Sequence, residues 1–110
     1  LKENVLRRTT ALQTVILKTK NHSEGLIIGN THLFFKPDAD HIRLLQTAMI
    51  VRQLEKIKTS AEKNFGMAFS VLLCGDFNST PPFGVLEFMQ KKVIKENHTD
   101  WCSAEGIVQF

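Results

Sequence analysis

Phe69-Ser70-Val71-Leu72-Leu73-Cys74-Gly75-Asp76-Phe77-Asn78-Ser79-Thr80-Pro81 is an apolar run that breaks off into oxygen-bearing side chains. Residues 69–75 read as a buried strand. Side chains alternate faces along an extended chain, so Asp76 and Asn78 should share one face while Phe77 points into a core. A carboxylate beside a carboxamide at a strand's end can hold a hard cation, orient a water or grip a phosphate oxygen. The same pair also suits a plain turn, because Asp and Asn hydrogen-bond their own backbone locally.

Working back along the chain, Gly25-Leu26-Ile27-Ile28-Gly29-Asn30-Thr31-His32-Leu33 is a second short apolar run that ends in polar groups. Asn30 and His32 are two residues apart and therefore share a face. A histidine in this position serves either as a hydrogen-bonded structural residue or as a proton carrier. Two buried strands that both end in same-face polar pairs point to a site, since loops and ligands gather at strand ends in layered α/β proteins.

The remaining elements follow from periodicity and punctuation. Residues 11–18 read as a strand through Val15, Ile16 and Leu17. Asn21-His22-Ser23-Glu24-Gly25 is a turn, so this strand and the one over 26–33 should pair antiparallel. A loop over 34–40 leads into one helix over 41–62. Asp40 is its expected N-cap, Leu44, Leu45, Ala48, Val51 and Leu54 its apolar face, and Asn64-Phe65-Gly66 its stop. After Pro81 and Pro82 a short helix is expected over 83–91, and the rest reads as loop. The order is strand, strand, helix, strand, helix: an α/β arrangement with too few strands to close a sandwich by itself.

Asn30-Thr31-His32-Leu33 together with Gly75-Asp76-Phe77-Asn78-Ser79-Thr80-Pro81 resembles the endonuclease/exonuclease/phosphatase superfamily. Within it the chain is most similar to the deadenylase-like branch and its oligoadenylate-degrading 2′,5′-phosphodiesterases. Leu12-Gln13-Thr14-Val15, Ile42-Arg43-Leu44-Leu45-Gln46 and Glu96-Asn97-His98-Thr99-Asp100-Trp101 add to the likeness, which runs over nearly all of the 110 residues. The resemblance implies a four-layer α/β sandwich, two packed mixed β-sheets flanked by helices, of which this chain is an incomplete part. It implies that residues 1–110 are the central fragment of a single catalytic domain. The glutamate that such enzymes carry on an early strand, and their late Asp and Ser-Asp-His, have no counterpart here.

What the resemblance implies for chemistry falls on named residues. Asp76 would orient or deprotonate the attacking water, and His32 would contact the scissile phosphate. Asn78 would bind phosphate or complete the coordination of Mg2+, with Asp76 as the other metal ligand. Asn30, Phe34 and Arg43 are the further substrate-side candidates; core packing for Phe34 and a structural ion pair for Arg43 are the alternatives. The implied reaction is Mg2+-dependent cleavage of 2′,5′-oligoadenylate or 3′,5′ poly(A) RNA to 5′-AMP, with the remainder of the same domain as partner. The alternative is a truncated, non-catalytic nucleotide- or protein-binding relative.

Composition narrows the class further. With 14 basic and 11 acidic residues the formal charge is +3, too little for a dedicated nucleic-acid-binding block. The two cysteines, Cys74 in the predicted buried strand and Cys102 in the tail, are too few for a disulfide framework or a metal cluster. Both are expected reduced, in an intracellular setting such as the mitochondrial matrix or cytoplasm. No apolar run approaches the roughly 18 residues that span a bilayer, so no membrane partner is expected. His41 and His98 read as surface residues, His22 as a turn residue and Trp101 as a packing anchor for the tail.

Overall fold

The computed structural model describes residues 9–80, 84–91 and 98–101. Strand β1 (Leu12–Lys18) and strand β2 (Glu24–His32) form an antiparallel hairpin, with Leu12 opposite Thr31 and Lys18 opposite Gly25. The turn is built by its polar residues. The Asn21 Oδ1 accepts from the Ser23 amide and hydroxyl, and His22 takes a left-handed φ of 56°. Helix α1 (Asp40–Phe65) then carries the chain to strand β3 (Ala68–Asp76), which pairs parallel to β2. The result is a three-stranded mixed sheet in the order β1-β2-β3. Helix α2 (Gly84–Lys91) packs beside α1, and a single 3-10 turn (Thr99–Trp101) follows.

The core lies between α1 and one face of the sheet. Ile27 and Phe69 from the strands meet Ile50, Leu54 and Ala61 from the helix, with Leu33 and Val85 closing the ends. Burial of each large apolar side chain contributes on the order of 1.5–3 kcal/mol. The spacing Ile50, Leu54, Ile57, Ala61 is the helical stripe that faces the strands. It is rotated from the expected face. Leu44 and Leu54 are buried, but Leu45, Ala48 and Val51 are only half-buried, because Ala48 and Val51 flank a groove shared with Phe88 and Met89 of α2. The helix thus serves two neighbours, and an apolar count along one stripe does not reveal the second.

Both helix ends have local causes. Gly66 takes a φ of 62° and donates its N–H to the Glu62 carbonyl, the left-handed cap expected of Asn64-Phe65-Gly66. At the start, Asp40 is not the N-cap. It is the first helical residue, and its carboxylate pairs with the Arg43 guanidinium one turn on, while Ala39 occupies the cap position without a side-chain bond.

The second face of the sheet is uncovered among the described residues. Val15 and Leu17 of β1 and Leu72 of β3 stand about half exposed on it, beside Leu26 and Ile28 of β2. For this reason Cys74 is exposed rather than buried; its Sγ donates to the Gly29 carbonyl at 3.3 Å. The anchor role read for Trp101 rests on a side chain that is not described, and Pro81, Pro82 and Cys102 lie outside the described residues.

Two histidines also depart from the surface reading. His98 is half-buried: its Nε2 lies 2.9 Å from Glu87 Oε2, and its Nδ1 accepts the Asp100 N–H. The buried Asp100 in turn accepts the Gly84 N–H at 2.7 Å, which ties the 3-10 turn to the start of α2. His41 is wholly buried, and neither ring nitrogen has a hydrogen-bond partner among the described residues. Burial lowers its pKa, with Arg43 adding to the effect and Asp40 opposing it.

The sign of the resulting pH dependence follows. Between the depressed native pKa and the unfolded value near 6.5, the unfolded chain binds more protons, so stability falls as pH drops through that window. One such group contributes at most about 1.4 kcal/mol per pH unit. In urea titrations of the full-length protein between pH 7.5 and 5, His41→Phe should flatten the acid-side loss. An unchanged pH profile in the variant would exclude His41 as its source.

Candidate active site

Strands β2 and β3 run in the same direction, so their carboxyl ends lie side by side. The register sets His32 directly against Asp76, Thr31 against Gly75 and Asn30 against Cys74. His32 and Asp76 both project on the open face of the sheet, where His32 Nε2 lies 3.7 Å from Asp76 Oδ2. Their side chains are 69% and 64% exposed. An exposed pair of this kind adds only about 0–1 kcal/mol to stability, so it is a poor structural device and an accessible chemical one.

The backbone around the pair is tightly specified. Gly75 has a φ of 138°, and a Cβ there would collide with the Thr31 carbonyl oxygen. Only glycine lets β3 lie this close to β2 one residue before Asp76. Strand pairing then continues past His32, because the Leu33 N–H donates to the Asp76 carbonyl at 2.9 Å.

The alternation predicted for 76–78 ends at Asp76. Asn78 takes a φ of 46°, its N–H donates to Asp76 Oδ1 at 2.9 Å, and its Nδ2 donates to the Leu33 carbonyl at 2.7 Å. Asp76 therefore uses one carboxylate oxygen to shape the turn and turns the other toward His32. Asn78 laces the two strand ends together through its amide nitrogen. The turn and the polar site, alternatives in the sequence, coexist on the same two residues.

An open cleft of about 710 Å³ lies over this end of the sheet. Its wall includes Gln13, Asn30, His32, Phe34, Phe35 and Asp76. Gln13 stands opposite Asn30 in the hairpin, so the polar pair at the end of β2 becomes part of a wider polar row. Local sequence does not assign Gln13 to the site; its polar position in a strand leading up to the hairpin is the one signal it carries.

No family model matches the chain. Individual relatives do. The human protein named 2′,5′-phosphodiesterase 12 is 36% identical over 102 residues, which is 92% of this chain and 16% of that protein. The Danio rerio CCR4-NOT transcription complex subunit 6-like is 28% identical over 93 residues, 77% of this chain and 17% of its own length. The Schizosaccharomyces pombe CCR4-Not complex 3′-5′-exoribonuclease subunit Ccr4 is 24% identical over 105 residues, 80% and 15% respectively. The chain belongs to the endonuclease/exonuclease/phosphatase superfamily. It spans about one-sixth of the length of these curated relatives.

The superfamily's nuclease and phosphodiesterase members direct attention to the other residues around the cleft. Asn30 is exposed on the cleft wall, one step below His32 on the same face. Phe34 and Phe35 follow His32, with ring centroids 5.6 Å apart and tilted; Phe34 is half-buried and Phe35 is 70% exposed. Arg43 lies elsewhere. It is 5% exposed, and its guanidinium bonds the Phe34 and Lys36 carbonyls at 3.0 and 2.8 Å as well as Asp40.

The donor set bears on a metal. Asp76 is the carboxylate on the cleft wall, and its Oδ2 is turned away from the Asn78 turn bond. The Oδ1 of Asn78 takes no hydrogen bond among the described residues. Among these residues there is no cluster of three or more His, Cys, Asp or Glu with the spacing of a metal cage. One carboxylate and one carboxamide oxygen fit the protein share of a Mg2+ shell, since that ion keeps several waters and uses one or two carboxylates. They do not fit a zinc or other soft-ligand site. Among the described residues, no helix is long and apolar enough to cross a membrane.

Proposed function

We propose that the protein carrying this chain is a Mg2+-dependent phosphodiesterase that removes adenylate units as 5′-AMP from 2′,5′-oligoadenylate or 3′,5′ poly(A) RNA. The observation that carries the reading is the His32–Asp76 pair, held 3.7 Å apart at the carboxyl ends of two parallel strands and open to a cleft. The names of the relatives, a 2′,5′-phosphodiesterase and a 3′-5′-exoribonuclease subunit, supply the reaction class.

The chemistry can be written on these residues. A water oxygen attacks phosphorus while the bond to the departing 2′ or 3′ oxygen breaks. The Oδ2 of Asp76 accepts the water's proton as the new P–O bond forms, and Asn78 keeps that carboxylate oriented through Oδ1. His32 Nε2, beside it, donates to a non-bridging phosphate oxygen as negative charge builds. Mg2+ bound at Asp76 and Asn78 would neutralise phosphate charge and ease departure of the alkoxide. The leaving oxygen takes up a proton from solvent, Asp76 returns its proton to solvent, and phosphate remains on the 5′ side as 5′-AMP. Phe35, exposed on the cleft wall, offers a ring face for an adenine, with the half-buried Phe34 ring tilted against it.

The open sheet face belongs to the same reading. Its apolar residues, Val15, Leu17, Leu26, Ile28 and Leu72, suit the inner surface of a four-layer sandwich, with the second sheet supplied by the rest of the domain. Further metal ligands would arrive with that sheet.

The test is hydrolysis of 2′,5′- and 3′,5′-linked adenylate oligomers by the full-length protein. Release of 5′-AMP that requires Mg2+ and stops in EDTA is expected. Undiminished turnover in excess chelator would refute the metal-dependent mechanism. Tight oligoadenylate binding with no cleavage under any divalent cation would favour a non-catalytic relative.

A further inference from the structure

We propose that Arg43 and Gln46 are positioning residues that hold the His32–Phe35 segment in register with the end of β3; the proposal deepens the phosphodiesterase reading and rests on it for its catalytic consequence. Both side chains lie on the first two turns of α1, both are buried, and both bond the backbone of the segment that follows His32. Gln46 Oε1 accepts the Phe34 N–H at 3.1 Å, and its Nε2 donates to Thr10 Oγ1 at 2.9 Å. Arg43 Nη1 bridges the Phe34 and Lys36 carbonyls. The preceding residue, Leu33, is held from the opposite side, its N–H by the Asp76 carbonyl and its carbonyl by Asn78.

The segment is thus bonded on two fronts, by α1 and by the end of β3. This arrangement has a reason. Residues 34–36 have left the sheet, and partly buried backbone groups left without partners would each cost up to about 1–3 kcal/mol. Arg suits the task because its planar fork serves two acceptors at once, and Asp40 balances its charge. Neither Arg43 nor Gln46 lines the cleft over the strand ends. Their effect on chemistry passes through the backbone that sets His32 and Phe35. A misplacement of about 1 Å at reacting groups costs on the order of 10²-fold in rate.

The experiment compares Arg43→Lys, Gln46→Leu and the conservative Gln46→Glu in the full-length protein. Glu keeps the acceptor for the Phe34 N–H, and the Thr10 hydroxyl can turn to donate to it. Amide exchange is read by NMR at Leu33 and Phe34, alongside the melting temperature, kcat and KM on adenylate oligomers well below that temperature. In Arg43→Lys and Gln46→Leu, the Leu33 amide should exchange at least about tenfold faster although neither side chain bonds it, and kcat should fall by about 10–10²-fold with KM within threefold. Gln46→Glu should stay close to the wild type in both. Unchanged Leu33 exchange overturns the proposal. So does a lowered melting temperature with kcat per folded molecule intact, or a rise confined to KM, which would make Arg43 a phosphate ligand. A wild-type protein without turnover refutes the phosphodiesterase reading, while Leu33 exchange still decides whether the two side chains position the segment.

Discussion

Asp76→Asn in the full-length protein should lower turnover of adenylate oligomers by about 10²–10⁴-fold and leave the fold intact. Asparagine keeps an Oδ1 to accept the Asn78 N–H, so the turn that closes β3 survives. What disappears is the second, negatively charged oxygen that faces His32 across 3.7 Å. That oxygen is the one assigned to the water's proton. Because the pair is largely exposed, its loss should shift stability by no more than about 1 kcal/mol. A steady-state assay beside a thermal melt separates the two effects. Near-wild-type kcat in the variant would remove Asp76 from the mechanism. His32→Ala gives the companion measurement: kcat should fall more than substrate affinity, since the charge on phosphate that His32 meets is greatest in the transition state.

The isolated 110-residue chain should behave very differently from the full-length protein: no specific phosphodiesterase turnover, and self-association in place of a soluble monomer. Groups that act as a unit lose most of their effect when members are missing, and the described residues hold only a partial shell for a hard cation. The physical liability is the open face, where Val15, Leu17 and Leu72 are half exposed, flanked by two edge strands, β1 and β3. Leu72→Asp distinguishes the environments. In the isolated chain it should reduce association, measured by sedimentation. In the full-length protein it should destabilise by about 3 kcal/mol or more in urea, the cost of an uncompensated buried charge. A full-length variant as stable as the wild type would mean that this face is solvated and that no second sheet lies against it. A monomeric isolated chain with Mg2+-dependent turnover would overturn the reading of these residues as one part of a larger catalytic domain.

Much of this is legible in the chain itself. Glycine and proline punctuation with period-2 apolar runs located three strands and two helices to within a few residues, because these signals depend on near neighbours. The same runs put His32 and Asp76 at strand ends, and the strings around them carried the superfamily resemblance. Tertiary structure alone decided the rest. Setting His32 against Asp76 requires a parallel register between residues 44 positions apart, fixed by Gly75 passing close to Thr31 and by the Leu33–Asp76 bond. No local pattern encodes it. The fate of Arg43 was likewise undetermined: a guanidinium in a first helical turn can meet a phosphate or a carbonyl, and here the carbonyls of Phe34 and Lys36 lie within its reach. His41 and Cys74 exchanged the environments their sequence suggested because burial depends on which face of an element is covered, and that is a property of packing rather than of periodicity.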